Sequence, residues 1–273
     1  MWVARDAALW FVDIKEHRIH RFSPEDGALD SWPAPSQVCW VLPIEGGGMV
    51  AGLEHGIHRF DPASGAFTLV QSVEPEGSSL RLNDAAADKT GAIWLGTMDN
   101  GEKACRGHVY RYAEGKLTDS GLDTVVITNG PAVSPDGRIL YPVDTIGKKI
   151  WAAVINDDGT LGARRVLAEI EEGAGHPDGA ITDAEGFIWV GLYGGWGVRR
   201  YAPDGRLAAE VKLPVSNVTK IAFGGDDLRT AYATTARKDL DAAALAAQPL
   251  AGNLFAFDPG VAGLPCPLVK LGG

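Results

Sequence analysis

Three oxygen-bearing side chains, Asn83, Asn129 and Asp178, recur along the chain at intervals close to a repeat of about 44 residues. Arg81 lies two residues before Asn83, so on an extended strand both side chains point to one face. Carboxylate and amide oxygens suit a hard divalent cation, and a guanidinium offers several donors to carbonyl or hydroxyl oxygens. If these side chains converge, they predict a site for one cation and a polyhydroxylated ligand.

Each of these residues also has a simpler interpretation. Asn129-Gly130 is a common turn dipeptide, and Pro177-Asp178-Gly179 has the composition of an ordinary tight turn. His176, two residues before Asp178, is near enough to reach the same place, but the sequence favours no direct catalytic role for it. The shared position of the three residues in successive repeats favours the site.

The repeat is centred on a short apolar strand with an anchor residue at its middle. The anchors are Trp10, Val50, Trp94, Leu140, Trp189 and Tyr232. Their mean separation of about 44 residues is typical of four-stranded propeller blades. Three residues before the anchor, repeats two to five carry a glycine that suits a hairpin turn: Gly47, Gly91, Gly137 and Gly186.

Asn83, Asn129 and Asp178 each lie eleven residues before an anchor, on the first strand of their repeat. In a propeller this strand lines the central channel, which is why the side chains are expected to converge. Six copies predict an all-β, six-bladed β-propeller with four-stranded blades, forming a single domain over residues 1–273. The first blade is expected to be shortened at its N-terminus. One helix is expected, over residues 239–248.

Composition excludes several classes of partner. The 25 basic and 35 acidic residues give a net charge of −10, so nucleic acids and anionic membranes are not expected partners. The chain has neither an apolar run long enough to span a bilayer nor a signal sequence, which predicts a cytoplasmic location. Cys39, Cys105 and Cys266 are too few and too widely spaced for a disulfide framework or a zinc finger. A monomer or weak oligomer is expected.

A set of short phrases carries a family resemblance. They are Leu9-Trp10-Phe11-Val12-Asp13-Ile14, Arg81-Leu82-Asn83-Asp84, Gly96-Thr97-Met98, Thr128-Asn129-Gly130-Pro131, Pro177-Asp178-Gly179, Phe223-Gly224-Gly225 and Thr234-Thr235-Ala236-Arg237. In this order and at these spacings they resemble the gluconolactonase/senescence marker protein (regucalcin)-like family, most closely its bacterial sugar lactonases of the xylonolactonase kind. The resemblance covers nearly the whole chain.

The resemblance implies a six-bladed propeller that holds one divalent metal through a Glu, an Asn and an Asp, and that hydrolyses aldonolactones. Asn129 and Asp178 match the metal ligands, and Asp178 also matches the proposed acid/base. Arg81 and Asn83 match the substrate-binding pair. A further acidic residue that contacts substrate in some members has no secure counterpart around Asp99, Asn100 and Glu102. The metal, whether Ca²⁺, Zn²⁺, Mg²⁺, Mn²⁺ or Fe²⁺, and the particular aldonolactone both stay open.

One departure from the family pattern lies at the N-terminus. Family members have a Gly-Glu-Gly-Pro-x-Trp phrase whose Glu is the third metal ligand, and here Met1-Trp2 stands at the x-Trp position. We therefore expect the full gene product to begin upstream of Met1. We also expect the chain as printed to bind metal weakly and to be less stable in its sixth blade.

The predicted function is metal-assisted lactone hydrolysis. The cation would act as a Lewis acid, Asp178 would help to remove the proton of the attacking water, and Arg81 and Asn83 would hold the lactone oxygens. Alternatives are a non-catalytic, divalent-metal-binding regulatory propeller and a promiscuous esterase acting on aryl esters. An interaction scaffold of the WD or NHL type is disfavoured, since it needs no polar residues at one shared position.

Overall fold

The computed structural model describes residues 1–272. The described chain consists almost entirely of antiparallel β-sheet arranged in six sheets, each a meander of consecutive strands. β-Branched and aromatic residues dominate the inner strands, which are buried on both faces. The all-β, six-bladed fold class expected from the repeats is confirmed.

Met1–Thr128, together with the segment that begins at Pro265, forms one compact unit with three four-stranded sheets. The first sheet contains β1 (Trp2–Val3), β2 (Ala8–Asp13), β3 (Arg18–Phe22) and β4 (Leu29–Pro33). The second contains β5 (Val38–Pro43), β6 (Met49–Leu53), β7 (Gly56–Asp61) and β8 (Ala66–Ser72). The third contains β9 (Leu80–Ala87), β10 (Ile93–Asp99), β11 (Val109–Ala113) and β12 (Lys116–Asp119).

Asn129–Leu264 forms a second compact unit, and its first strand begins one residue earlier, at Thr128. The fourth sheet contains β13 (Thr128–Val133), β14 (Ile139–Asp144), β15 (Lys149–Ile155) and β16 (Leu161–Glu169). The fifth contains β17 (His176–Thr182), β18 (Ile188–Tyr193), β19 (Gly197–Tyr201) and β20 (Leu207–Lys212). The sixth contains β21 (Val218–Gly224), β22 (Thr230–Thr235) and β23 (Phe255–Phe257).

Strand counts distinguish the first and last sheets. The first sheet has four strands, of which β1 is two residues long, and shortening of this blade stays a prediction. Within the described residues the sixth sheet has three strands.

A single domain over the whole chain stays a prediction. Residues 1–272 include no helix with the length and hydropathy needed to cross a membrane.

The six anchors all lie on the second strand of their sheets, as the repeat predicted. Trp10, Trp94 and Trp189 are at most 2% exposed and form the centres of three sheets. Their indole nitrogens donate to aspartates that the repeat analysis did not single out: Trp10 to Asp6 at 3.0 Å, Trp94 to Asp88 at 3.0 Å and Trp189 to Asp183 at 2.9 Å. These hydrogen bonds satisfy the polar atom of each buried indole.

The predicted hairpin glycines adopt the backbone conformation that a tight turn needs. Their φ angles are 115° at Gly47, 90° at Gly91, 74° at Gly137 and 81° at Gly186. The predicted helix is present but shorter than expected, as α1 (Ala242–Ala247). It begins only after Asp241, whose carboxylate accepts from the Ala244 nitrogen at 2.8 Å and caps the first turn.

Candidate active site

The first strands of two sheets bulge at the position of a candidate site residue. In the third sheet, Asn83 and Asp84 of β9 stand opposite the single residue Gly96 of β10. In the fifth sheet, Asp178 and Gly179 of β17 stand opposite a single residue of β18 in the same way. A bulge of this kind re-aims the side chain of the extra residue and is common beside active sites. The shared sequence position therefore corresponds to a shared distortion of the ladder.

A glycine faces each of these two bulges because no side chain fits there. A Cβ on Gly96 would overlap the side chain of Thr128. A Cβ on Gly191, the corresponding residue of β18, would lie 2.7 Å from the carbonyl oxygen of Thr219. Both glycines come two residues after their anchor, and this regularity in the sequence could have revealed the bulges.

Arg81 and Asn83 are brought together on β9, as predicted. Arg81 Nη1 donates to Asn83 Oδ1 at 2.9 Å and to the Leu82 carbonyl at 2.8 Å. The Asn83 amide nitrogen donates to the Thr128 carbonyl at 2.7 Å, so both ends of this amide are held. Arg81 and Asn83 are 5% and 8% exposed. The guanidinium is thus buried and fixed in direction by its own strand.

A loop after β10 holds the other side of the guanidinium. Arg81 Nε donates to Asn100 Oδ1 at 3.0 Å. The loop is closed by Asp99, whose carboxylate accepts from the Lys103 and Ala104 nitrogens at 3.0 Å each. These hydrogen bonds from the backbone hold the pKa of Asp99 below its usual range. The Asp99 carboxylate therefore stabilises the loop that follows β10, and Asn100 is the residue of this loop that contacts Arg81.

One branch of the Arg81 guanidinium has no hydrogen-bond partner among the described residues. Within residues 1–272, Arg81 Nη2 donates no hydrogen bond to another residue. Cys39, at the equivalent position of β5, completes the contacts of Arg81, with its sulfur 3.7 Å from Nη1. Burial raises the pKa of the Cys39 thiol to about 11, with the nearby guanidinium acting in the opposite direction. The thiol is therefore neutral at physiological pH. Arg81 Nη2 is the branch of the guanidinium that stays available as a donor within residues 1–272.

Asn129 lies on β13 and is 9% exposed. Its amide nitrogen donates to the hydroxyl oxygen of Thr145 at 2.9 Å. Thr145 follows the last residue of β14, and its carbonyl oxygen accepts from His176 Nδ1 at 3.2 Å. Because a carbonyl can only accept, Nδ1 carries the proton. Thr145 thus links the candidate ligand Asn129 to the strand that carries Asp178.

Asp178 is half-buried on β17, at the bulge described above. The aliphatic part of Lys220, from β21, lies over the backbone of the next residue. A Cβ on Gly179 would be 2.6 Å from Lys220 Cγ and 2.7 Å from its Cβ. A lysine side chain is therefore packed beside the residue that follows Asp178, which the sequence analysis did not foresee.

The turn interpretations of the candidate ligands are wrong. Asn129 is on a strand, and Gly130 after it has φ of 69° with Tyr141 O only 3.1 Å from where a Cβ would stand. Asp178 is also on a strand, whereas Asp136 in the similar Pro135-Asp136-Gly137 lies in a hairpin turn, where it accepts from Ser134 Oγ and the Arg138 nitrogen. Identical tripeptides therefore have different roles.

The donor atoms of this region fit a hard divalent cation. Asn129 and Asp178 supply one neutral amide oxygen and one carboxylate, and such cations accept water at their remaining positions. With Nδ2 of Asn129 turned to Thr145, Oδ1 is on the opposite branch of the amide. Residues 1–272 contain no group of three or more His, Cys, Asp or Glu side chains that could hold a metal ion.

Three contacts of the site residues were missed from the sequence: Asn100, Thr145 and Lys220. Each lies outside the repeat position that revealed the others. Asn100 and Thr145 are in the loops that follow second strands, where blades differ in length and repeat phase is lost. Lys220 is one residue away from the position eleven residues before Tyr232. The ladder accounts for the offset, because Ala231, paired with Phe223, is the residue of β22 that matches the pairing of Trp94 with Ala86.

Comparison with known proteins identifies a family that matches most of the chain. The SMP-30/Gluconolactonase/LRE-like region matches residues 1–237. The chain is 34% identical to a 6-deoxy-6-sulfogluconolactonase of Pseudomonas putida, over 98% of this chain and 92% of the relative. It is 34% identical to an L-arabinolactonase of Azospirillum brasilense, over 96% and 88%. The solved structure of regucalcin, a calcium-binding protein of Agrobacterium tumefaciens, matches with a TM-score of 0.94 and 29% identity, over 99% of this chain and 92% of that one.

Proposed function

The chain belongs to the SMP-30/gluconolactonase/LRE-like family, and from this we propose that it is a lactonase that hydrolyses a sugar lactone to the aldonic acid. Water adds to the lactone carbonyl carbon, the ring ester bond breaks, and the alkoxide that leaves takes up a proton. The small-molecule substrate is a sugar lactone, in line with the names of the similar enzymes. The particular aldonolactone is a matter for a substrate panel.

The single observation that carries the assignment of Asn83 and Asp178 is the bulges on β9 and β17, at a position where β5 also bulges, at Cys39. They distort the ladder at Asn83 and Asp178, two residues that match the family's motif and lie eleven residues before their anchors. Bulges at equal positions in different sheets are expected where side chains are aimed at a ligand. We therefore assign Asp178 to metal binding and Arg81, held by Asn83, to substrate binding. Asn129 is assigned to metal binding because it has the same position in its repeat and matches the family's motif.

The roles follow from the chemistry of each group. Arg81 Nη2 donates to a lactone oxygen and favours the negative charge that develops on it, because Nε and Nη1 are already held by Asn100 and Asn83. Asn83 keeps the guanidinium in place. The Asp178 carboxylate accepts a proton from the attacking water. A divalent cation held by Asn129 and Asp178 would supply Lewis acidity toward the lactone carbonyl.

We propose Ca²⁺, Mg²⁺, Mn²⁺, Zn²⁺ or Fe²⁺ as the cation, since oxygen ligands accept all of them. A cytoplasmic location and a monomeric or weakly oligomeric state stay predictions of the sequence.

The test is a panel of aldonolactones, with gluconolactone, xylonolactone, galactonolactone and arabinonolactone, each assayed with the five cations and with a chelator. We expect opening of at least one lactone that stops on chelation and returns with metal. Tight cation binding without turnover of any lactone would contradict the proposal and favour the alternative of a non-catalytic metal-binding propeller, which the similar calcium-binding regucalcin suggests. Faster turnover of aryl esters than of every lactone would favour an esterase.

A further inference from the structure

Thr145 occupies a rigid position at the end of β14. Its side chain is buried, with the whole residue 7% exposed. The turn that carries it is braced by Asp144, whose carboxylate accepts from the Gly147 nitrogen at 2.9 Å. The Lys148 nitrogen closes the turn on the Thr145 carbonyl at 3.3 Å. The hydroxyl of Thr145 is therefore presented from a fixed backbone.

The hydroxyl and the backbone carbonyl of Thr145 accept hydrogen bonds from two residues near the proposed metal ligands, Asn129 and His176. The hydroxyl oxygen accepts from Asn129 Nδ2 at 2.9 Å, and the carbonyl accepts from His176 Nδ1 at 3.2 Å. Both partners are on first strands, β13 and β17. Thr145 is thus hydrogen-bonded both to β13, which carries Asn129, and to β17, which carries Asp178.

The contact with Asn129 decides which end of its amide faces away from Thr145. An asparagine side chain has one end that can coordinate a cation, the oxygen, and one that repels it, the NH₂ group. Rotation by half a turn about the last side-chain bond exchanges them. With Nδ2 on the Thr145 hydroxyl, Oδ1 takes the opposite side; without that acceptor, neither orientation is preferred by this neighbour.

We propose that Thr145 is a positioning residue that orients the Asn129 amide with its oxygen toward the cation. This rests on the proposed function, in which Asn129 is a ligand of a divalent cation. Groups that hold metal ligands from behind typically change metal affinity by about 10–100-fold when they are removed. The Thr145 hydroxyl is hydrogen-bonded to the proposed metal ligand Asn129, so we expect its substitution to act first on cation affinity.

The experiment compares Thr145→Val with Thr145→Ser in calorimetric titrations with Mn²⁺ and Ca²⁺. Valine keeps the shape and removes the acceptor, and we expect a dissociation constant raised about 10-fold or more, which corresponds to about 1.4 kcal/mol for each factor of ten. Serine keeps the hydroxyl, and we expect an affinity within about threefold of the wild type. Thr182→Val is the matched control, because Thr182 Oγ1 donates to the Val133 carbonyl at 2.7 Å and joins the same two strands without touching Asn129.

A second background separates orientation from general damage. In Asn129→Asp the ligand has two equivalent oxygens, so there is no amide to orient. We expect Thr145→Val to weaken cation binding strongly when position 129 is Asn. In the Asn129→Asp background we expect the same substitution to weaken it by no more than about threefold. Circular dichroism and thermal unfolding of each variant show whether it is folded.

Each outcome bears on the inference. Equal cation affinity of wild type and Thr145→Val, or an equal loss in both backgrounds, overturns it and leaves the proposed function standing. A loss in Thr182→Val as large as that in Thr145→Val also overturns it. Absence of cation binding by the wild type, in the presence of lactone turnover, overturns both the inference and the metal role of Asn129.

Discussion

The region around Arg81 and the region around Asn129 and Asp178 present opposite chemistry on strands of the same kind. In the first region, the buried Arg81 guanidinium is held on two sides by the amide oxygens of Asn83 and Asn100 and has one donor branch left over. Around Asn129, an amide nitrogen is held by the Thr145 hydroxyl, and the amide oxygen and the Asp178 carboxylate are acceptors. The first region suits the oxygens of a lactone, and the second suits a cation.

Under the proposed function, one repeated strand position serves two tasks. Cys39, Asn83, Asn129 and Asp178 occupy equivalent positions in four successive repeats. The backbone supplies the same bulge in the second, third and fifth sheets, at Cys39, Asn83 and Asp178, and the residue type decides which chemical group results. The two regions should therefore fail differently when they are altered, one through substrate affinity and the other through cation affinity and turnover.

The largest effect is expected from Asp178→Asn, which removes the proton acceptor and the charged cation ligand. Turnover of the best lactone should fall by about 10²–10⁴-fold, the range over which a general base contributes. Steady-state kinetics at saturating metal provides the measurement. Asp136→Asn is the control, because Asp136 is in the same Pro-Asp-Gly tripeptide but belongs to a hairpin turn. Similar losses in both variants would contradict the role of Asp178.

A smaller loss is expected from Arg81→Lys, which keeps the charge but cannot keep the fork held by Asn83 and Asn100. KM should rise by about 10–100-fold, since hydrogen bonds to charged groups contribute about 1.5–3 kcal/mol. The surface variant Arg165→Lys should leave KM unchanged, as Arg165 contacts the Pro203 carbonyl at the surface. An unchanged KM in Arg81→Lys would show that its Nη2 does not bind substrate.

Asn100→Ala should have a milder effect of the same kind, because Asn83 still holds the other side of the guanidinium. We expect KM to rise by up to about tenfold, in line with one neutral-to-charged hydrogen bond, and kcat to change less. Asn100→Asp, which keeps the oxygen acceptor, should restore most of the wild-type KM. If Asp at this position restores nothing, the amide oxygen of Asn100 does not position Arg81.

The smallest effect concerns the thiols and tests whether the Arg81 region is closed. Cys39 is 5% exposed with its pKa raised to about 11, whereas Cys105 is exposed. Because the thiolate is the reactive form, iodoacetamide at neutral pH should label Cys105 in the folded protein and Cys39 only after unfolding. Peptide mass spectrometry measures both sites. Rapid labelling of native Cys39 would show that the region is more open than described.

Much of the fold was accessible from the sequence because it repeats. The anchors, the hairpin glycines and the first-strand position of Asn83, Asn129 and Asp178 follow from periodicity, and all were found where they were expected. The partners that orient these residues were not accessible. Asn100 and Thr145 lie in loops of unequal length, and the aspartates beneath the tryptophans precede the anchors by six residues in two sheets and four in another. Residue spacing predicts the positions that recur in every repeat. It does not predict the side-chain partners of those positions, because they lie in loops that differ from one repeat to the next.

The most direct test of the division between the two regions is a calorimetric titration of one cation, Mn²⁺, into wild type, Asp178→Asn and Arg81→Lys. We expect Asp178→Asn to lose most of its cation affinity, and Arg81→Lys to bind the cation as the wild type does although its KM for lactone is raised. Loss of cation binding in Arg81→Lys, or wild-type binding in Asp178→Asn, would contradict this division.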